Sequence, residues 1–331
     1  CKILSSGRLQ GVAGPGSGFS RLVDSNRYED SPDFYRSAQV RIFGEGGKKT
    51  DPVRVVRFDS GIFELSEELP GLLTGVRFEI VWEEEAPVVG IRKLLGCPLH
   101  EVSDSIRICL GTTRGTNALL ERKGVGTAFV TTRGFADILR IGTQDRPRLF
   151  DLEIHKPEAL EEEVVELDER VAADGTILRV LDREEIRRAL APVRGRGVAS
   201  LAVCLMNAYR NPVHERTVAR IARELGFEQV SISSEISPTI GIVPRGDTTV
   251  VDAYLTPVLS DYIASIRASL PAATLLCMTN AGGLVEAGRF SGKDSLLSGP
   301  AGGVVGLART AREIGLEEVI GFDMGGTSTD V

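Results

Sequence analysis

Val319-Ile320-Gly321-Phe322-Asp323-Met324-Gly325-Gly326-Thr327-Ser328-Thr329-Asp330-Val331 is the stretch that organises the rest of the sequence. A short apolar run delivers an aspartate at its end, two glycines follow after one residue, and then come three hydroxyl residues and a second aspartate. That order predicts a strand running into a phosphate-binding turn. Glycines let backbone N–H groups approach an anion without Cβ obstruction, hydroxyls donate to phosphate oxygens, and carboxylates hold a divalent cation or its waters. The same residue types also build ordinary hairpin turns, so this stretch alone leaves that alternative open. A strand and a turn cannot grip a nucleotide by themselves, and the chain is therefore expected to be a piece of a larger protein. Cys1-Lys2-Ile3-Leu4-Ser5-Ser6 points the same way, since it reads as the middle of a strand and lacks a starting Met.

The 331 residues allow about two domains and a sizeable core. A hydrophobic content of 42% with 26% charged residues fits a soluble globular protein. Acidic residues (46) outnumber basic ones (39), for a net charge of -7, which argues against nucleic acid as a partner. The cysteines Cys1, Cys97, Cys109, Cys204 and Cys277 are odd in number and show no C-x-x-C spacing. With Cys109, Cys204 and Cys277 inside apolar runs, they read as reduced core residues of a cytoplasmic protein. His100, His155 and His214 lie far apart, without the spacing of a zinc site. No apolar run reaches the ~18 residues of a membrane span, and no signal peptide is visible.

Residues 7–34 are rich in Gly, Ser, Pro and Asp and are expected to form a loop, because Gly14-Pro15-Gly16-Ser17-Gly18 neither follows a clear strand nor opens a helix. From Ser37 to Trp82 short alternating runs such as Val53-Arg54-Val55-Val56-Arg57-Phe58 predict a small antiparallel β-module over 35–85. Helical spacing then runs from Val88 to Leu95 and stops at Gly96. Ile106–Leu110 reads as a buried strand that enters Gly111-Thr112-Thr113-Arg114-Gly115-Thr116-Asn117 and a helix ending at Gly124. Those hydroxyls and Asn117 suit an anion at a helix N-terminus, or plain capping of orphan N–H groups. From about residue 86 onward strands and helices alternate with short connections, including a strand at 127–132, a strand at 197–206 and a long helix near 247–270. This implies an α/β fold with a largely parallel sheet and helices on both faces, with ligands expected at the carboxyl ends of the strands. Polar clusters fall there, among them Gly142–Arg148, whose Arg146 and Arg148 could clamp a carboxylate or could be merely solvated. The acidic run Glu158–Glu169 reads as the edge of a solvated strand or loop. Ser298-Gly299-Pro300-Ala301-Gly302-Gly303 is a second Gly-rich turn opening a helix, which could wrap phosphate or let the helix pack closely. No G-x-x-x-x-G-K-[ST] occurs, which excludes a P-loop.

Five blocks in order carry a resemblance. Gly111–Gly124, Thr132-Arg133-Gly134-Phe135 with Leu149-Phe150-Asp151-Leu152, Val243-Pro244-Arg245-Gly246 with Asp252–Pro257, Leu297–Gly306, and Gly321–Val331 together resemble the hydantoinase A/5-oxoprolinase family over about residues 100–331. The resemblance implies an actin-like ATPase (ribonuclease H-like) fold, in which two lobes grip ATP and Mg²⁺ between two Asp-x-Gly-Gly-Thr turns. Asp323-Met324-Gly325-Gly326-Thr327 is similar to the second turn; the first, and the nucleotide-base lobe, are absent from this sequence. The piece is thus expected to be inactive alone. The family's chemistry implies ATP-dependent hydrolysis of a cyclic amide, with 5-oxoproline opened to glutamate as the leading expectation. Hydantoin hydrolysis and ATP-dependent ketone carboxylation are alternatives within the family, and a non-catalytic nucleotide-binding module is one outside its chemistry. On that resemblance Asp323 and Asp330 organise Mg²⁺ and water, with Asp323 as metal ligand, and Gly325, Gly326, Thr327 and Thr329 hold phosphate. Thr112, Thr113, Asn117 and Arg245 line the substrate side, although an Arg before a long helix could also pair with a nearby acid. The domain order implied is a strand remnant and loop at 1–34, the inserted module at 35–85, the family's N-terminal region at 86–210, and the start of the next domain at 211–331. The resemblance implies a hydantoinase B-like subunit or fused segment as partner, and a homo-oligomer is a further partner expectation. Ala281 departs from the Asn or Asp common before the paired glycines, and the module is expected to lie outside the shared core.

Overall fold

The computed structural model describes residues 8–44, 48–82, 84–96, 106–144, 150, 156–324 and 329–331. The chain divides into two compact units, residues 1–108 with 262–275 and residues 109–261 with 276–331.

The first unit holds a six-stranded antiparallel sheet. Its strands are β1 (Leu9–Val12), β2 (Gly18–Val23), β3 (Gln39–Ile42), β4 (Val53–Asp59), β5 (Ile62–Leu72) and β6 (Arg77–Val81), hydrogen-bonded in the order β1-β6-β3-β4-β5-β2. Alternating apolar positions send Val40, Ile42, Val55, Phe58, Phe63, Phe78 and Ile80 into one core with Phe34 and Tyr35. Helix α1 (Ala86–Leu95) adds Val89 and ends as expected at Gly96, which is left-handed at φ 69°. The loop expected over 7–34 is not what forms there. β1 pairs with β6, Leu9 opposite Ile80, and β2 pairs with β5, Val23 opposite Ile62. The antiparallel unit therefore begins at Leu9, ahead of residue 35. Gly11 hid the first strand from a periodicity argument, yet a Cβ there would lie 2.4 Å from Phe78 Cζ, so the glycine is a packing device and not a chain breaker. Gly14–Ser17 is the connecting turn, with Gly16 at φ 88°. The strand expected at Cys1–Ser6 lies outside the described residues.

Strand β7 (Arg107–Leu110) was expected to be buried, but only Ile108 and Leu110 are; Arg107 and Cys109 face solvent, the signature of a strand covered on one face. Helix α2 (Arg114–Leu120) follows. The second unit is then built on four parallel strands, β8 (Thr127–Thr132), β9 (Glu163–Leu167), β12 (Ser200–Cys204) and β13 (Gln229–Ile232), in the order β13-β12-β8-β9. Between them lie α3 (Ile138–Ile141), the small hairpin β10 (Arg170–Val171) and β11 (Ile177–Arg179), α4 (Arg183–Gly195) and α5 (Val213–Glu224). Every residue of β8 and β12 is buried, because both faces of the sheet are covered. Ala128, Val130, Leu201 and Val203 pack on Ile186, Leu190, Val218 and Ile221 of α4 and α5. Phe129, Ala202 and Cys204 pack instead on Val250 and Ala253. These last belong to α7 (Ile242–Ser269), which follows α6 (Ser233–Ile236).

The remaining elements are β14 (Thr274–Met278), β15 (Leu284–Glu286), α8 (Gly292–Ser295), α9 (Ser298–Glu313), β16 (Asp323–Met324) and β17 (Thr329–Asp330). Two helices start earlier than the sequence suggests. α7 takes in Pro244 and α9 takes in Pro300, since proline in a first turn removes only an N–H that has no intrahelical partner. The Gly-rich 298–303 segment is thus the opening of α9 itself. α2 stops at Leu120, with Arg122 in the left-handed region at φ 55°, so Gly124 is not its terminator. Gly124 is needed for packing: an added Cβ would sit 2.2 Å from the Tyr254 ring. Among the described residues no helix is long and apolar enough to cross a membrane.

Candidate functional site

The C-terminal stretch forms an antiparallel hairpin, with Asp323 opposite Asp330 and Met324 opposite Thr329. Its regular strand is only two residues long on each side. Val319, Ile320 and Phe322, expected to be part of that strand, are outside any ladder and at least 39% exposed, since an apolar run becomes a strand only where a partner edge takes its N–H groups. Asp323 is exposed. Gly325, Gly326 and Thr327, expected to hold phosphate, lie outside the described residues; for Thr329 and Asp330 the backbone alone is described. Gly321, two residues ahead of Asp323, rests against α9: a Cβ there would be 2.6 Å from Leu307 Cδ2. Among the described residues no cluster of three or more His, Cys, Asp or Glu is arranged around a metal position. A lone exposed carboxylate still fits Mg²⁺ in a nucleotide site, because that ion takes one or two carboxylates and fills its octahedron with water and phosphate oxygens.

The other end of α9 meets Gly111–Asn117. Ser298 Oγ donates to Thr112 O at 2.8 Å, joining blocks 186 positions apart, and Leu297 N donates to Thr116 Oγ1 at 3.3 Å. The contact is close: a Cβ on Gly299 would lie 2.9 Å from Thr113 Cγ2, and one on Gly115 2.0 Å from Ser295 Oγ. Thr112 Oγ1 accepts from Arg114 N at 3.1 Å, a local turn that gives this hydroxyl a capping role. Thr113 and Asn117 are exposed, joined by a 3.5 Å contact from Nδ2 to Oγ1. α9 thus links Thr112, Thr113 and Asn117 at its start to the approach to Asp323 along its length.

Arg245, expected to line the substrate side, has its donors engaged within the fold. It is fully buried inside the first turn of α7, with Nε donating to Ser233 Oγ at 3.0 Å, Nη1 to Thr239 O at 2.9 Å and Nη2 to Leu205 O at 2.6 Å. Its guanidinium also lies over Tyr209, 5.5 Å from the ring centroid. The balancing charge is one step away: Ser233 Oγ donates to Glu215 Oε1 at 2.5 Å, and Glu215 accepts further from Leu205 N and Ser234 N. Burial raises the Glu215 carboxyl above its ordinary value against those hydrogen bonds, and burial likewise raises the Cys204 thiol. The arginine fastens the carboxyl ends of β12 and β13 to α7.

Two positions on, Asp247 lines a cavity of about 1160 Å³ together with Asp137, Leu139, Lys156 and Val250; desolvation raises its carboxyl. Arg146 and Arg148 lie outside the described residues. The sequence also gave no sign of a second buried set. Glu169, expected on a solvated edge, is sealed: its Oε1 accepts from Thr132 Oγ1 and its Oε2 meets His214 Nδ1 at 2.7 Å. No spacing rule reaches a pair 45 positions apart.

The family model for the hydantoinase/oxoprolinase N-terminal region matches residues 46–226, and the hydantoinase/oxoprolinase model matches 245–331. The first match takes in β4 to β6, strands expected to lie outside the shared core. The chain is 44% identical over 281 residues to 5-oxoprolinase 1 of Arabidopsis thaliana and 42% identical over 288 residues to 5-oxoprolinase of Saccharomyces cerevisiae, covering 75% of this chain and 22% of the relative in each case. It is 31% identical over 258 residues to the acetophenone carboxylase gamma subunit of Aromatoleum aromaticum, covering 72% of this chain and 35% of that one. Among solved structures, the ATP-dependent caprolactamase of Pseudomonas jessenii superposes with a TM-score of 0.63 at 28% identity, over 87% of this chain and 42% of that one. Nucleotide-free acetone carboxylase gives the same TM-score of 0.63 at 21% identity over 89% of this chain and 43% of that one, a likeness of fold alone. The chain spans about a fifth of the length of the two 5-oxoprolinases, 22% of each. On these matches, and on the blocks that α9 brings together, the chain belongs to the hydantoinase/oxoprolinase family.

Proposed function

We propose that the protein to which this chain belongs hydrolyses a cyclic amide with ATP, opening 5-oxoproline to glutamate and releasing ADP and phosphate. The observation that carries this reading is the 44% and 42% identity to two chains named 5-oxoprolinase over 75% of this one, against 31% to a carboxylase subunit and 28% to a caprolactamase. An amide is a poor electrophile, and phosphorylation of its oxygen makes the carbon open to water. The protein's part is then positioning and charge stabilisation. In this reading the hairpin is the second phosphate turn of an actin-like ATPase. Asp323 and Asp330 organise Mg²⁺ and water, and Gly325, Gly326, Thr327 and Thr329 hold phosphate. Mg²⁺, when bound, neutralises charge on the phosphates. Thr113 and Asn117, with Thr112 supporting them, face the substrate, and Arg245 leaves that set for the fold. A hydantoinase B-like subunit or fused segment completes the enzyme.

The test is ADP release by the full-length protein, with its partner, in the presence of 5-oxoproline, hydantoin, or a ketone with bicarbonate. Dependence on 5-oxoproline with glutamate as product is the expected result, and Asp323→Asn should lower it about 10²-fold or more. Stimulation by the ketone alone would move the assignment to the carboxylases that share this fold.

A further inference from the structure

We propose that Gly299 is a positioning residue for the substrate: the bare Cα in the first turn of α9 decides where the Thr113 side chain stands, and through it Asn117; this rests on the reading above in which Thr113 and Asn117 face the substrate. All the groups involved belong to the second unit. Around the pair the hydroxyls are committed. Thr112 Oγ1 accepts from Arg114 N and Thr116 Oγ1 from Leu297 N, while Ser298 Oγ donates to Thr112 O and Ser295 Oγ to Gly292 O at 2.7 Å. The side chains of Thr113 and Asn117 are exposed, and among the described residues their polar atoms meet only each other, Nδ2 to Oγ1. The pair is what this turn leaves free for a ligand. A lactam ring holds its amide cis, with N–H and C=O on one edge, and a carboxamide beside a hydroxyl supplies an acceptor for the first and a donor for the second.

Gly299 fixes the geometry of that pair through one atom. Ser298, fully buried, ties the start of α9 to Thr112 O, and a Cβ on Gly111 would lie 3.6 Å from Ser298 O, so the two backbones run in contact. On the other side of the turn a Cβ on Gly115 would meet Ser295 Oγ at 2.0 Å. With its backbone held on both sides, Thr113 keeps χ1 as its remaining freedom. A Cβ on Gly299 would stand 2.9 Å from Thr113 Cγ2, well inside the ~3.5–4.0 Å of carbon contact, whereas its next neighbours, Thr112 C and Thr113 N, would be at 3.9 Å. The Thr113 methyl is thus the atom for which the glycine makes room. In a β-branched residue methyl and hydroxyl share one Cβ and move together between staggered positions, so a methyl expelled from α9 carries Oγ1 away from its place beside Asn117. Pro300 gives a second reason for glycine at 299, since a Cβ before proline meets the ring in helical backbone. That strain belongs to the fold and does not involve Thr113, so experiment separates the two.

The test compares the full-length parent with Gly299→Ala, Thr113→Ser and the double variant. Gly303→Ala, whose added Cβ meets nothing within 4 Å, is the control on the same helix. Serine keeps Oγ and lacks the one atom that the alanine would strike. Melting temperature, kcat and the KM values for 5-oxoproline and for ATP are measured with the partner present. Gly299→Ala should raise KM for 5-oxoproline about tenfold, roughly one hydrogen bond's worth, with kcat and the KM for ATP within about threefold of the parent. Gly303→Ala should leave both KM values unchanged. On the Thr113→Ser background Gly299→Ala should move KM by less than about twofold, while any fall in melting temperature from the strain before Pro300 persists. A rise in KM that survives on the Thr113→Ser background would overturn the proposal, as would a Gly299→Ala KM within about twofold of the parent or a loss confined to kcat. If Gly299→Ala does not fold, Thr113→Val decides, since it keeps the methyl and loses the hydroxyl: an unchanged KM for 5-oxoproline overturns the proposal. A parent that ignores 5-oxoproline but responds to hydantoin, or to a ketone with bicarbonate, ends the 5-oxoproline assignment alone, and the same variants are then compared with that compound. A parent that responds to none of them removes the amidohydrolase reading and the role of Gly299 with it.

Discussion

Arg245→Met should destabilise the second unit severely, and the size of the effect follows from what the guanidinium holds. Three acceptors lose their donor, the buried Ser233 Oγ and Leu205 O and the partly buried Thr239 O. At about 1 kcal/mol net per hydrogen bond that is roughly 3 kcal/mol. Glu215 keeps its own hydrogen bonds but loses the cation that compensates a sealed carboxylate, which brings the cost into the range of about 3–5 kcal/mol found when a buried charge pair is broken. Arg245→Lys, a single point charge facing three divergent acceptors, should recover only part of this and cost about 1–2 kcal/mol. The assay is urea unfolding of the 331-residue chain by far-UV circular dichroism, with hydrogen exchange at the Leu205 and Ser234 amides. The only tryptophan, Trp82, packs against the core of the other unit, so its fluorescence is an internal control. Combined with Glu215→Gln, the cycle should show about 1–3 kcal/mol of favourable coupling. An Arg245→Met cost below about 1 kcal/mol, or strict additivity with Glu215→Gln, would refute the burial argument and return Arg245 to the candidate substrate contacts.

Three further outcomes are expected. Alkylation of the native chain followed by peptide mapping should mark Cys109, which is exposed, and spare Cys204 and Cys277, which are buried; burial also raises the Cys204 thiol and starves it of thiolate. Asp247→Asn should raise the melting temperature slightly at neutral pH: the folded-state carboxyl lies above its ordinary value, so the native protein gains stability as pH falls through that interval, and the variant's advantage should be gone below about pH 4. Solvent screening at this partly exposed group keeps the gain under about 0.5 kcal/mol, and no pH dependence in the difference between the two melting curves would contradict it. Gly124→Ala should cost about 1–3 kcal/mol by driving a methyl into Tyr254, while Gly303→Ala, with nothing within 4 Å of the added Cβ, should stabilise α9 by about 0.5–1 kcal/mol; equal effects at the two positions would mean that α9 packs differently.

Periodicity and glycine chemistry in the sequence determined the alternating strands and helices after residue 86, the antiparallel strands of the first unit, and the family blocks. Each is a local pattern, set by neighbours within a few residues, and the structure carries them: Gly96 ends α1, β8 and β12 are buried on both faces, and Asp323 and Asp330 pair across a hairpin. Only the tertiary structure decided which polar residues were committed. Arg245 reads as a substrate-side residue, or as the partner of a nearby acid, until Ser233, Thr239 and Leu205 close around it. Glu169 reads as one more acid in a solvated run until His214 arrives from 45 positions away. Gly11 and Gly124 read as breakers until Phe78 and Tyr254 occupy the space their Cβ atoms would need. The physical reason is the same in each case: the free energy of a buried charge, or of a missing methyl, is set by the atoms touching it, and those atoms come from distant parts of the chain that no local pattern encodes.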